Sequence, residues 1–276
     1  EVLANEEYGC VKSMDEIGAV GHRVVHGGEG FADSVVIDDH VKKVIRDCFD
    51  IAPLHNPPNL MGIEACQELM PNVAHVAVFD TAFHQTMGPA NYMYALPYEA
   101  YEKFRVRRYG FPGTSHYYVS HRAADLLGKP FEQCKIVTLH LGNGASMAAI
   151  KDGRVIDTSM GFTPLEGLVM GTRSGDVDPA IVFFLMEKLG MDSSAANTYF
   201  NKKSGMLGLS GVSNDLRDVL EAAASGNEKA KIALDVYYNK VKGYIGNYIA
   251  KLNGCDCLVF TAGVGENAID IRENIC

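Results

Sequence analysis

Residues 136–158 read IVTLHLGNGASMAAIKDGRVIDT, and this stretch decides the class of fold. Three short apolar runs are separated by Gly142-Asn143-Gly144 and by Asp152-Gly153. Asn-Gly and Asp-Gly pairs favour hairpin turns, because both turn residues tolerate a positive φ. The stretch therefore predicts a meander of three antiparallel strands, at residues 136–141, 145–151 and 154–158.

Strands and helices alternate on both sides of this meander. Before it, we predict a strand, two helices and a strand, at residues 19–25, 38–49, 57–70 and 73–79. After it, we predict three helices and a buried strand, at residues 179–189, 215–224, 228–252 and 257–261. This alternation predicts an α/β protein. Prolines and glycines predict an irregular region at residues 88–113, and we place a domain boundary near Ala82.

The composition restricts the function classes. The 276 residues carry a formal net charge of -9, which argues against a nucleic-acid binder, and 47% of them are hydrophobic, which predicts a folded protein. Arg105, Arg107 and Arg108 form a basic cluster that we interpret as a solvated loop or a salt-bridge group. The seven scattered cysteines are typical of a reduced, cytoplasmic protein, and no apolar run reaches membrane-spanning length, so we expect no membrane partner.

Two glycine-containing turns are candidates for a nucleotide site. The first comprises His140, Leu141, Gly142, Asn143 and Gly144, and the second comprises Gly263, Val264, Gly265, Glu266 and Asn267. Each follows a predicted strand, and glycine lets backbone N–H groups approach a polyphosphate. Taken alone, such turns more often only close a hairpin or end a strand.

A third candidate for the nucleotide site is the start of the helix predicted at residues 215–224. Asp215, Leu216 and Arg217 begin that helix. The carboxylate of Asp215 is suited to a ribose, although an aspartate at this position is more often a helix cap.

Three charged residues are candidates for a catalytic site. Arg23 lies in an apolar strand, Asp80 ends another strand, and Arg173 lies in the string GTRSGD at residues 171–176. A buried guanidinium needs an anionic partner, which would be a structural carboxylate or a transferring phosphoryl group. A carboxylate at the carboxyl end of a strand is often catalytic, and helix capping is the alternative for Asp80.

The motifs, taken in order, resemble the acetate kinase family. The matching strings are HRVVHGG at 22–28, PLHNP at 53–57, VFDTAFHQTM at 78–87, HLGNGAS at 140–146, GTRSGD at 171–176 and FTAGVGEN at 260–267. Each string is short, but together they are specific and they cover nearly the whole chain. Propionate kinases share the same motifs, and butyrate kinases share the fold more distantly.

The resemblance implies the two-domain, ribonuclease H-like fold of the sugar kinase, Hsp70 and actin superfamily. Residues 1–82 would form the substrate and phosphoryl side, and residues 83–276 the nucleotide-binding domain. The implied reaction is reversible, in-line transfer of the γ-phosphoryl group of ATP to acetate, giving acetyl phosphate and ADP. Mg²⁺ would assist, with ligands mainly outside this chain, and the protein would be a homodimer.

The resemblance also implies roles for individual residues. Arg23, Asp80 and Arg173 would be catalytic. Val25, Leu54 and Pro164 would join Arg23 at the substrate and limit the size of the acid, although Val25 and Leu54 also suit a plain core position. The two glycine turns and residues 215–217 would bind ATP.

The sequence departs from the family pattern in two respects. The family's FHGTSH is FPGTSH at residues 111–116, so that Pro112 replaces a histidine used near the phosphoryl group, and His116 is not assumed to take over its role. The family's first strand with its phosphate turn, and its last segment with a Mg²⁺-binding glutamate, have no counterpart in these residues. We therefore expect an incomplete first domain. Two alternatives stay open: a propionate kinase, and a nucleotide-binding relative with impaired catalysis.

Overall fold

The computed structural model describes residues 3–53 and 55–276, which form two compact units. The first unit contains the described residues up to Gln85 together with Pro112–Thr114. The second unit contains Thr86–Phe111 and Ser115–Cys276. Both units combine a sheet with helices, as the alternation in the sequence predicts.

The first unit is built on a three-stranded sheet with the strand order β1-β3-β2. Its elements are β1 Ala19–Val24, β2 Val35–Val36, α1 Asp39–Asp47, α2 Asn56–Leu69 and β3 Ala74–Phe79. β1 and β3 are parallel, with Arg23 beside Val78, so their carboxyl ends lie side by side. Apolar side chains from the sheet and both helices form the core, among them Val24, Val41, Ile63 and Phe79.

The second unit is built on a four-stranded sheet with the order β6-β5-β4-β7. β4 Lys135–Leu141, β5 Ala145–Lys151 and β6 Arg154–Thr158 form the antiparallel meander predicted from the Asn-Gly and Asp-Gly turns. β7 Cys257–Thr261 pairs with β4 in the parallel direction, with Thr261 beside His140. The segments that follow β4 and β7 therefore begin at the same edge of the sheet.

The structure contains further α-helices. They are α3 Pro89–Tyr92, α4 Tyr98–Phe104, α5 Gly113–Leu127, α6 Pro179–Leu189, α7 Ser193–Lys202, α8 Gly205–Ser210, α9 Leu216–Ala224, α10 Glu228–Leu252, α11 Ala262–Asn267 and α12 Ile269–Ile275. The longest, α10, starts at the side-chain cap of Asn227 and ends at Asn253, which has a left-handed φ of 54°. Within residues 3–53 and 55–276, no helix is long and apolar enough to cross a membrane.

Several helices differ from the sequence prediction. The region predicted as irregular contains α3 and α4, and α5, α7, α8 and α12 had no predicted counterpart. The prediction of a glycine loop directly after β7 is wrong, because α11 begins at Ala262 and includes both glycines. The turn from strand to helix occurs instead at Ala262, whose φ is 64°. Most of these helices are short, and short helices carry too few turns for a clear apolar period.

Candidate active site

In the first unit, Arg23 and Asp80 meet at the adjacent carboxyl ends of β1 and β3. The Nε of Arg23 donates to Oδ1 and Oδ2 of Asp80 at 3.0 and 3.1 Å, and its Nη2 donates to Oδ2 at 2.7 Å. Asp80 is 1% exposed, whereas the side chain of Arg23 is 69% exposed. Hydrogen bonding to Asp80 raises the pKa of Arg23. A buried carboxylate thus orients a guanidinium that reaches solvent.

The segment that follows β1 is held by the start of α2. The backbone N–H of Val25 donates to Asn59 at 3.1 Å, and the buried amide of Asn56 both accepts from the His26 N–H and donates to the His26 carbonyl. Sequence reasoning did not assign roles to Asn56 and Asn59, although Asn56 belongs to the PLHNP string. Val25 is half-buried, and Leu54 lies outside the described residues.

Pro112 lies beside the end of β3 in the first unit. The next residue, Gly113, donates its N–H to the carbonyl oxygen of Asp80 at 2.6 Å. A side chain at Gly113 would overlap that carbonyl group. Proline has neither a backbone N–H nor a side-chain donor. Position 112 is therefore fixed close to Asp80 and offers no hydrogen-bond donor there.

In the second unit, Arg173 is a half-buried cation. Its Nη1 donates to the carbonyl oxygen of Pro164 at 2.7 Å, and no carboxylate in the described part of the chain forms an ion pair with it. Burial lowers the pKa of Arg173. A Cβ atom at Gly144 would lie 2.9 Å from Nη2 of Arg173, so the glycine turn after β4 leaves room for the guanidinium. An anionic ligand would supply the missing countercharge.

The second unit contains a cavity of about 690 Å³ at the edge where β4 and β7 end. Three of the predicted segments line it, through Gly142, Asn143, Asp215, Leu216, Arg217, Gly263, Val264 and Asn267. Other lining residues were not predicted, among them Met170, Gly171, Asn214 and Tyr237. The volume lies in the range of small-molecule and cofactor sites. The parallel pairing of β4 with β7 brings together turns that are more than a hundred residues apart in sequence.

Five predicted nucleotide-binding residues are not among those that line the cavity: His140, Leu141, Gly144, Gly265 and Glu266. Leu141 is fully buried in the core, so its side chain is excluded from ligand contact. His140 Nδ1 lies 2.8 Å from the Ser115 hydroxyl. The carboxylate of Glu266 accepts a hydrogen bond from the Thr261 hydroxyl at 3.0 Å.

Asn143 lines the cavity and is held by two hydrogen bonds. Its Oδ1 accepts from the side-chain amide of Asn214 at 3.0 Å, and its carbonyl oxygen accepts from the N–H of Gly171 at 2.8 Å. A Cβ atom at Gly171 would overlap Oδ1 of Asn143. Only glycine therefore allows the GTRSGD segment to approach this turn.

Asp215 caps α9, one of the two roles that the sequence left open, and it also lines the cavity. Its carboxylate caps α9 by accepting from the N–H of Arg217 at 2.9 Å, and it also accepts from the Nε of Arg217 at 3.0 Å. The side-chain hydrogen bond from Arg217, followed by the backbone bond, lowers the pKa of Asp215 to about 2. The carboxylate is thus ionised at neutral pH, and it lines the cavity.

His116 is bound within the second unit. Its Nδ1 lies 2.7 Å from the Thr138 hydroxyl and its Nε2 lies 2.8 Å from the Ser146 hydroxyl, with the ring fully buried. Both ring nitrogens are engaged by hydroxyl groups of β4 and β5, which makes His116 a structural residue.

These features define a two-unit α/β protein with a cavity where neighbouring parallel strands end, the class expected of the sugar kinase, Hsp70 and actin superfamily. The family model described as Acetokinase family matches residues 2–276, and the chain belongs to this family.

Similar proteins support this membership. An acetate kinase from Syntrophomonas wolfei subsp. wolfei is 88% identical over 276 residues, which are 100% of this chain and 70% of that protein. The crystal structure of Porphyromonas gingivalis acetate kinase has a TM-score of 0.96 at 53% identity, covering 100% of this chain and 69% of that one. The crystal structure of a propionate kinase from Francisella tularensis has a TM-score of 0.92 at 47% identity, covering 96% of this chain and 68% of that one. These structures confirm the predicted fold class.

Proposed function

We propose that this protein transfers the γ-phosphoryl group of ATP reversibly to acetate, forming acetyl phosphate and ADP. The observation that carries the proposal is Arg173, a half-buried guanidinium without a carboxylate partner in the described chain, beside the Gly142-Asn143-Gly144 turn of a 690 Å³ cavity. Membership in the family and the 88% identical acetate kinase support this reaction over other phosphoryl transfers.

In this proposal the cavity of the second unit holds the nucleotide. The backbone groups of the turn at Gly142 and of Gly263 approach the phosphates, since neither residue has a side chain in the way. The ionised carboxylate of Asp215 accepts hydrogen bonds from the ribose hydroxyls, and Arg217 remains available to a phosphate. His140, Gly144, Gly265 and Glu266 then shape the wall.

The phosphoryl group and the acid are assigned to three charged residues. Arg23 contacts the carboxylate substrate or the phosphoryl group with its exposed face. Asp80 acts as a positioning group, because its buried oxygens already accept three hydrogen bonds from Arg23. Arg173 neutralises charge that develops on the phosphoryl oxygens, and phosphoryl transfer depends mainly on such alignment and neutralisation. Val25, Leu54 and Pro164 are proposed to limit the size of the acid.

Mg²⁺ is proposed to accompany the nucleotide, where it neutralises phosphate charge. The residues that the structure describes contain no group of three or more histidine, cysteine, aspartate or glutamate side chains that could hold a metal ion. The two oxygens of Asp80 are bonded to Arg23. These residues do not form a dedicated Mg²⁺ site.

Pro112 favours a second candidate, a nucleotide-binding relative with impaired catalysis. A donor at this position would act close to Asp80, and proline has none. Calorimetric titration with ATP, followed by a coupled assay of ADP formation with acetate and with propionate, separates the candidates. We expect ATP binding and faster turnover with acetate. Binding without turnover would favour the second candidate, faster turnover with propionate would indicate a propionate kinase, and absence of ATP binding would contradict all three.

We also propose a homodimer that associates through α6. This helix contains no buried residue, yet Ile181, Phe183, Phe184 and Leu189 are among its exposed apolar side chains. Exposed apolar side chains of this kind are typical of an interaction site. Sedimentation of Phe183→Glu should show a monomer where the unaltered chain shows a dimer.

The seven free cysteines support a cytoplasmic location.

A further inference from the structure

A second cavity of about 590 Å³ lies in the second unit and shares no lining residue with the nucleotide cavity. One face of α10 forms much of it, including Lys240, Tyr248 and Lys251. Arg108, Asp157 and Asp176 contribute from other segments. The lining is therefore rich in charged groups, although nothing in the proposed phosphoryl transfer uses it.

The hydroxyl of Tyr248 is the first indication of a ligand. Tyr248 is fully buried and lines the cavity, and its hydroxyl oxygen has no hydrogen-bond partner among the described residues. Burial raises the pKa of Tyr248 well above its ordinary value, so the hydroxyl stays protonated and can donate. Leaving a buried hydroxyl unpaired costs free energy, and a ligand oxygen in the cavity would remove that cost.

The carboxylates of the lining already have their donors. One oxygen of Asp157 accepts from a backbone N–H at 2.8 Å and the other from Lys251. One oxygen of Asp176 accepts from a backbone N–H at 2.8 Å, and the other accepts from the Tyr244 hydroxyl at 2.8 Å and from Lys240 at 3.4 Å. Each ammonium group has three N–H donors and uses one of them here. Lys240 and Lys251 therefore each keep unused N–H donors beside the Tyr248 hydroxyl.

We propose that this cavity binds a small oxyanion, held by the Tyr248 hydroxyl and the ammonium groups of Lys240 and Lys251. A ligand with several acceptor oxygens matches three neighbouring groups that keep unused donors. The hydrogen bond between Lys240 and Asp176 is long, at 3.4 Å, so Lys240 can turn to the ligand at little cost. Phosphate groups and carboxylates share this chemistry.

Titration of the chain with inorganic phosphate, followed by calorimetry, tests the site. Tyr248→Phe removes only the hydroxyl, and Lys240→Gln removes one charged donor, so each should weaken phosphate binding by about tenfold. Tyr237→Phe is the matched control, because its hydroxyl is also buried and unpartnered within the described chain but Tyr237 lines the nucleotide cavity. Arg217→Gln controls for phosphate bound in that cavity. Both controls should leave the affinity of the second cavity for phosphate within about twofold, because neither residue lines it.

The same titration with acetate identifies the source of the oxyanion, since tighter binding of phosphate points to a phosphorylated ligand and tighter binding of acetate to a carboxylate. The proposal is overturned if no saturable binding occurs with either anion. It is also overturned if Arg217→Gln abolishes phosphate binding while Tyr248→Phe does not. A third contrary result is that no anion binds and that Asn247→Arg dissociates a dimer. The cavity would then be filled by a second copy of the chain.

Discussion

Nη2 of Arg23 lies 2.7 Å from Oδ2 of Asp80, although the carboxylate is buried and the guanidinium reaches solvent. The two residues are 57 positions apart and meet because β1 and β3 are parallel neighbours. This asymmetry makes Asp80 an internal support for Arg23. We therefore expect mutation of Arg23 and mutation of Asp80 to reduce the stability of the protein by different amounts.

Arg23→Gln should destabilise the first unit more than Asp80→Asn does. The first change leaves a buried carboxylate without its countercharge, at a cost of about 3 kcal/mol, whereas the second leaves an arginine that solvent can hydrate. Urea unfolding of both variants measures the difference. The double variant should regain part of the stability lost in Arg23→Gln. Equal losses in the two single variants would show that the pair is energetically symmetric.

Arg173→Gln should lower kcat by about a hundredfold, roughly 3 kcal/mol of transition-state stabilisation, without lowering the unfolding midpoint. The reason is that no described carboxylate loses a partner when this cation is removed. Arg154→Gln, at an exposed position of β6, is the matched control and should leave kcat unchanged. A large loss of stability in Arg173→Gln would instead indicate a structural role.

Pro112→His should raise kcat for acetyl phosphate formation by more than about tenfold, because it adds a donor near Asp80 worth roughly 3 kcal/mol when fully aligned. The affinity for ATP should change little, since the nucleotide cavity is lined by other residues. Pro112→Ala separates the donor from the relief of proline geometry, and it should not increase kcat. If both variants gain equally, the conformation at position 112 matters and the missing donor does not.

Gly263→Leu should weaken ATP binding by more than about tenfold while the protein remains as stable, or becomes slightly more stable, since leucine favours a helix over glycine. A Cβ atom at Gly263 meets no atom within 4 Å, and the residue lines the nucleotide cavity. Gly246→Leu in α10 is the control, because its Cβ position is equally open but lies outside both cavities. Calorimetric ATP titration would contradict the assignment if the two variants bind alike.

The first unit should lose stability as the pH falls below 6.5. His84 is fully buried, and burial lowers its pKa from 6.5 to about 3. The unfolded chain therefore binds a proton that the folded chain excludes, and at about pH 5 this costs about 2 kcal/mol. The free energy of unfolding, measured with urea from about pH 8 to pH 5, should fall less in His84→Gln than in the unaltered chain. His40→Gln, an exposed position in α1, should keep the full slope.

Much of the secondary structure is determined by local sequence. The Asn-Gly and Asp-Gly pairs specify the turns of the β4–β6 meander because their backbone preferences act over a few residues. The strand β7 and the long helix α10 were likewise predicted to within a residue, since each has a continuous apolar pattern. The family strings indicated which fold and which reaction to expect, but they give no distances between residues.

Only the tertiary structure decided which of the candidate residues meet. The sequence offered Arg23 and Asp80 as separate candidates, and the pairing of β1 with β3 joins them. The same applies to the cavity of the second unit, which unites residues 142–143, 215–217, 263–264 and 267. The sequence also placed Leu141 at a ligand, whereas the pleat of β4 turns its side chain into the core. Which residues meet depends on the order of the strands and on the face of the sheet to which each side chain points. Packing between distant segments sets both, so the local sequence does not indicate them.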